Sequence, residues 1–183
     1  MSHDAELWLA IFGNAHPVEL EIGPGRGDVL LSLAAARPDS NFFAIERSAG
    51  LAEAIMIRAG ALGLSNARVI AGDARCILAE VVPPGSVAAV HVYFPDPWPK
   101  TRHRHRRLFD RPGTAEAIAR VLVPGGSVHV ASDLPWLHRL MRERLGSAGL
   151  LEVAPCLPAR PVSKFERKYA AAGTHTATFV KRA

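Results

Sequence analysis

The apolar positions of this chain fall in short blocks, separated by stretches where they recur every three to four residues. Short apolar blocks bounded by turn residues read as buried strands, and the longer periodic stretches read as helices. The pattern predicts strands over 18–22, 41–45, 67–71, 87–93 and 127–131. It predicts helices over 28–36, 48–62, 74–82, 114–122 and 134–148. Pro83-Pro84-Gly85 and Pro124-Gly125-Gly126 are breakers that end two of these helices. Two last strands are read over 151–155 and 174–181, flanking a loop or short helix. Residues 94–112 are irregular and rich in proline and arginine, and no internal repeat is visible. Strands alternating with helices predict an α/β protein with a doubly wound, Rossmann-like sheet. Such sheets bind ligands outside the carboxyl ends of their strands. The chemistry is therefore expected at Gly23, Glu46, Asp73, residues 94–98 and Asp133.

Composition narrows the class. With 183 residues, 49% of them apolar and 21% charged, the chain is expected to fold as a single domain over 1–183. The apolar runs are short and interrupted by charge, so no membrane association is expected. The N-terminus has no basic segment leading into an apolar stretch, so no signal peptide is expected. Cys76 and Cys156 are the only cysteines, which points to a reducing, cytoplasmic setting. The formal net charge is +5, and the segment from Lys100 to Arg107 carries five positive charges by itself. A local basic cluster on an otherwise balanced chain fits either a polyanion contact or a solvated loop. His103 and His105 sit among arginines, which repel a metal, so no metal site is expected.

The first strand leads into Glu21-Ile22-Gly23-Pro24-Gly25-Arg26-Gly27. Glycines let the backbone turn sharply and approach a ligand closely. The spacing is G-x-G-x-G, and Asp28 stands where a dinucleotide fingerprint needs a third glycine. A carboxylate at that helix start competes with a pyrophosphate, whereas Glu21 suits a cationic ligand end such as an amino group. Glu46, at the end of the second strand, can accept hydrogen bonds from two ribose hydroxyls. Asp73, in Gly72-Asp73-Ala74, can accept from an adenine amino group. Three acidic strand ends with this glycine loop resemble the class I S-adenosylmethionine methyltransferases.

The loop after the fourth strand, Phe94-Pro95-Asp96-Pro97-Trp98-Pro99-Lys100, runs straight into the basic cluster. Prolines at 95, 97 and 99 fix φ and stiffen it. Here the chain resembles the bacterial-type tRNA (guanine-N7-)-methyltransferases. The likeness includes Arg102-His103, Arg106-Arg107, Leu122-Val123-Pro124-Gly125-Gly126, Ser132-Asp133 and Arg160-Pro161-Val162-Ser163-Lys164-Phe165-Glu166, with Trp8 and Phe12-Gly13 upstream. Members of that family usually carry a longer basic arm before the Trp8 region, and threonine where this chain has Ser163. The resemblance implies a class I fold: a mostly parallel seven-stranded sheet with an antiparallel last strand and helices on both faces. It implies S-adenosylmethionine as cofactor, S-adenosylhomocysteine as product, no metal, and a monomer or homodimer. It implies transfer to guanine N7 at position 46 of the tRNA variable loop.

By the same resemblance, Glu21, Gly23, Gly25, Gly27, Glu46, Asp73, Ala74 and Asp96 hold the cofactor, and Asp96 is also the catalytic residue. Lys100, Asp133, Ser163, Lys164, Phe165 and Glu166 contact the tRNA or its target base. Arg102, Arg104, Arg106 and Arg107 are read as phosphate contacts. Trp98 and Phe165 each have two readings, stacking on an unpaired base or packing on the core. The alternatives are a non-catalytic or weakly active RNA-binding homologue, an amino-methyltransferase acting on another base, and a small-molecule methyltransferase. The amino-methyltransferases use a turn with two adjacent prolines after the acid, and Asp96-Pro97-Trp98 has one.

Overall fold

The apolar blocks become seven strands in one sheet. The computed structural model describes residues 3–156 and 173–182. Its strands are β1 (Val18–Ile22), β2 (Asn41–Glu46), β3 (Ala67–Ala71), β4 (Val87–Tyr93), β5 (Leu122–Ser132), β6 (Leu151–Val153) and β7 (His175–Val180). The sheet order is β3-β2-β1-β4-β5-β7-β6. β1 lies between β2 and β4 and is parallel to both, β2 is parallel to β3, and β4 is parallel to β5. β7 is antiparallel to β5 on one side and β6 on the other. The doubly wound, mostly parallel sheet expected from the sequence is therefore present.

Among the described residues, six α-helices cover it: α1 (His3–Phe12), α2 (Asp28–Ala36), α3 (Ala49–Ala61), α4 (Ala74–Glu80), α5 (Thr114–Val121) and α6 (Pro135–Ser147). Strand residues alternate between the two faces. Leu20, Val90 and Val128 point to one face, where they join a core with Trp8 of α1, Leu78 of α4, Ile118 of α5 and Met141 of α6. Phe42, Ala44, Tyr93 and Ala131 point to the other, where Leu30 and Leu33 of α2 and Ile55 of α3 pack. Among the described residues, no helix is long and apolar enough to cross a membrane.

Two elements differ most from the sequence expectation, while α4 and β6 each stop two residues short of theirs. The pattern does not predict α1, which offers only a short apolar face. Its order comes from tertiary contact: Trp8 meets Phe43 of β2 edge-on, with ring centroids 5.2 Å apart. β5 is longer than the predicted 127–131, because Leu122 already pairs with Val87. The stretch Val123-Pro124-Gly125-Gly126 bulges out before pairing resumes at Ser127 with Ala89. Gly125 N–H donates to Lys181 and Lys181 N–H donates to Gly126, so the proline and glycines bend the strand without ending it.

The second face carries a polar chain inside the core. His91 of β4 (1% exposed) has Nε2 2.9 Å from Glu19 Oε2 of β1, and its Nδ1 lies 2.9 Å from the Tyr93 hydroxyl. Arg37 also donates to Glu19. Burial pushes the Glu19 carboxyl up, but hydrogen bonds from His91 and Arg37, and their charge, outweigh it and hold the group below its usual range. His129 of β5 stacks on His91 at 5.2 Å and bonds Ser127 Oγ at 2.9 Å. Burial, helped by His91, lowers His129 from 6.5 to about 4.

That shift predicts a pH dependence. The folded chain takes up the His129 proton near pH 4 and the unfolded chain near 6.5, so between them the unfolded state holds more protons. Stability is therefore expected to fall as pH drops through this window, by about 3 kcal/mol in full. Urea unfolding from pH 7 to pH 4 should show this loss, and His129→Gln should flatten the slope above pH 4.5. A wild-type stability level across the window would refute the assignment.

Candidate functional site

The parallel strands β1 to β4 end at one edge of the sheet, and a cavity of about 480 Å³ opens there. That volume lies within the range of small-ligand sites. Glu21 and Glu46, only 5% and 7% exposed, line its floor at the ends of β1 and β2. The Glu46 carboxylate is fixed by two backbone donors, Gly25 N–H at 3.1 Å and Ser48 N–H at 2.9 Å. It thereby ties the glycine loop to the start of α3. Gly25 has φ +58, and a Cβ there would point into open space. Gly23, Gly25 and Ala74, read from the sequence as cofactor contacts, line the cavity.

Gly27 does not line the cavity. Its φ is +76, and a Cβ would come within 2.8 Å of the Ile55 side chain. The missing side chain lets α2 pack closely against α3, a packing role that the sequence reading of Gly27 as a cofactor contact did not include. Asp73 lines the cavity but already has partners. It caps α4 through Arg75 N–H and accepts from the Arg75 guanidinium at 3.1 Å and 2.7 Å. Those bonds hold its carboxyl below the usual range. An adenine amino group would share an acceptor that Arg75 occupies.

After β4 the chain turns through two strained residues. Phe94 has φ +51 and Trp98 has φ +38, a region that costs a non-glycine residue about 1 kcal/mol or more. Between them Asp96 is exposed and lines the cavity. The basic segment then forms a 3-10 helix over Thr101–Arg106, followed by a second over Leu108–Asp110. Arg106 stacks over the Trp98 ring at 4.8 Å, and His103 meets that ring edge-on at 5.8 Å. The Trp98 ring is thus engaged by its own chain, which weighs against its stacking on a base.

Arg107 departs most from expectation. It lines the cavity, but its guanidinium is turned to its own chain. Its guanidinium donates to the carbonyls of Pro97, Trp98 and Pro99, and pairs with Asp110 at 2.9 Å. Lys100, Arg102 and Arg104 are exposed and do not line the cavity. Asp133, just past β5, is half-buried and also does not line it. Ser163, Lys164, Phe165 and Glu166 lie outside the described residues.

Sequence reasoning missed Arg26, Arg47, Arg75 and Arg111, which line the cavity. Arg47 and Arg75 directly follow the strand-end motifs at Glu46 and Ala74, a positional signal that was available. Exposed Arg26, Arg47 and Arg106 surround the buried Glu21 and Glu46, so the floor is acidic and the rim basic. Such a site suits a cationic ligand inside and a polyanion across its mouth. Two substitutions separate the glycines. Gly27→Ala is expected to destabilise the fold by about 2–4 kcal/mol through crowding and positive φ. Gly25→Ala is expected to cost about 1–2 kcal/mol, mainly φ strain, while weakening ligand binding at least about tenfold by placing a methyl where the ligand approaches. Denaturant midpoints and calorimetry with S-adenosylhomocysteine check both.

Comparison with known proteins bears on this arrangement. Residues 15–178 match the model of a family described as "Putative methyltransferase". A tRNA (guanine-N(7)-)-methyltransferase of Burkholderia cenocepacia is 41% identical over 166 residues, covering 88% of this chain and 65% of its own length. One of Sodalis glossinidius is 38% identical, covering 87% and 69%. The chain thus spans about two thirds of these relatives. Among solved structures, a variant 16S rRNA (adenine(1408)-N(1))-methyltransferase with cosubstrate SAM from Catenulisporales acidiphilia superposes with TM-score 0.68 at 14% identity, covering 100% of this chain and 93% of its own. A SAM-dependent methyltransferase from Aquifex aeolicus gives 0.63 at 17%, covering 97% and 89%. At such identities the structures establish the class I methyltransferase fold. The relatives add the narrower conclusion: this chain belongs to the tRNA (guanine-N7-)-methyltransferase family.

Proposed function

We propose that this protein transfers a methyl group from S-adenosylmethionine to N7 of a guanine in tRNA, within the variable loop, in the cytoplasm. The observation that carries this reading is the buried acidic floor under a basic rim, with exposed Asp96 lining the same cavity. The donor set fits the cofactor. Glu21 suits its ammonium end, Glu46 can accept from ribose hydroxyls with the lone pairs its backbone donors leave free, and the open space over Gly23 and Gly25 admits close contact. S-adenosylmethionine would supply the electrophilic sulfonium methyl.

Guanine N7 carries a lone pair and no proton, so the chain need not provide a general base. Its task is to position the purine for in-line displacement. Asp96, on a stiff loop at the cavity wall, can accept from the guanine N1–H and amino group and favour the positive charge that develops on the purine. Exposed Lys100, Arg102, Arg104 and Arg106 can meet phosphates, which orient an RNA without choosing its base. Asp133 and residues 163–166 are proposed to contact the target nucleotide.

The test is labelled-methyl transfer to unmodified tRNA followed by nucleoside mass spectrometry. Wild type should yield 7-methylguanosine. Asp96→Asn should lower kcat about 10²-fold or more while calorimetric cofactor affinity stays within about threefold. Methyl on an adenine or cytosine amino group, or Asp96→Asn at the wild-type rate, would overturn the reading.

A further inference from the structure

The loop that carries Asp96 cannot hold itself. Pro95, Pro97 and Pro99 have no N–H to donate, and Phe94 and Trp98 sit at positive φ. A strained backbone persists only where its surroundings over-determine it. The carbonyls of Pro97, Trp98 and Pro99 all turn to one side chain, Arg107, ten, nine and eight residues later. Arg107 Nε lies 3.0 Å from Pro97 O and 3.1 Å from Trp98 O, and Nη2 lies 3.0 Å from Trp98 O and 3.4 Å from Pro99 O.

The guanidinium is anchored on two further elements. Nη1 donates to Asp110 at 2.9 Å in the second 3-10 helix, both side chains being mostly buried. Its Cζ lies 4.7 Å over the ring of Trp136, at the start of α6 and three residues after Asp133. We infer that Arg107 is a positioning residue, a clamp that holds the Asp96 loop and the Asp133 turn in one rigid frame. Only a planar, five-donor cation can span these carbonyls, keep a carboxylate and stack flat on an indole; a lysine ammonium cannot. Arg107 acts through Asp96 and not on the RNA.

This inference rests on the proposed methyl transfer, and the experiment separates the two. Arg107→Lys keeps the charge and removes the fork, and Asp110→Asn loosens the anchor without touching the cation. For Arg107→Lys we expect kcat for tRNA methylation to fall about 10²-fold, the size of effect a misplacement of about 1 Å can produce. KM for tRNA and the salt dependence of tRNA binding should stay near wild type. Asp110→Asn should act in the same direction, and the double variant should lose no more than Arg107→Lys does. Independently of activity, exchange of the Phe94 amide, which donates to Ala131 O at 2.8 Å at the base of the 94–100 loop, should quicken about tenfold or more in both variants.

An Arg107→Lys protein with wild-type kcat, or a charge-removing Arg107→Gln protein whose loss lies in KM with a salt slope lower by about one, would overturn the clamp in favour of a phosphate contact. So would unchanged exchange of the Phe94 amide. If wild type transfers no methyl to tRNA, the proposed function fails, and exchange alone decides whether Arg107 holds the loop.

Discussion

The parallel pairing of β1 with both β2 and β4 is the constraint on which the site depends. Because these strands run the same way, their carboxyl ends meet at one edge. Because the chain moves outward from β1 in opposite directions on either side of it, the crossovers diverge and leave a crevice over that edge. Glu21, Glu46 and Asp73 are far apart in sequence, yet each follows or ends a strand there. The glycine loop must then turn tightly at the same place, and the Glu46 carboxylate binds it down through Gly25 N–H. Gly27, one step further, lets α2 close on α3.

A second set of polar groups serves the scaffold. Glu19, His91 and Arg37 form a hydrogen-bonded polar chain in the core, where an unpaired Glu19 charge would be costly. Pairing converts that cost into orientation. His91 reaches Tyr93, and Tyr93 lines the cavity, so the buried chain runs from the surface at Arg37 to the wall of the site. Neighbouring His129 stays neutral because it is buried beside His91. The same burial that makes this face a core makes it sensitive to acid.

The loop after β4 solves a different problem. A ligand-facing acid needs a rigid support, but a proline-rich loop offers few donors of its own. Cations supply what it lacks: Arg107 binds its carbonyls, and Arg106 covers Trp98. Two adjacent arginines of one basic run therefore have separate surroundings, one half-buried among carbonyls and one exposed at the rim.

The apolar pattern alone located β1, α2, β3 and β4 with their observed bounds, since a short apolar block bounded by turn residues marks a strand buried between two helical layers. Gly23, Gly25 and the acids at 21, 46, 73 and 96 were legible as strand-end residues, and these line the cavity, whereas Gly27 does not. What the chain could not disclose by itself was partnership. Trp8 needs Phe43 before α1 has a face to bury. Pro124 and Gly125 read as a terminator until Lys181 pairs across the bulge. Asp73 reads as a free acceptor until Arg75 folds back on it, and Arg107 reads as one more phosphate contact until the loop carbonyls close around it. Local pattern depends on neighbours in the chain, whereas a hydrogen bond or ion pair depends on which atoms come within about 3 Å in space, and only the folded sheet decided that.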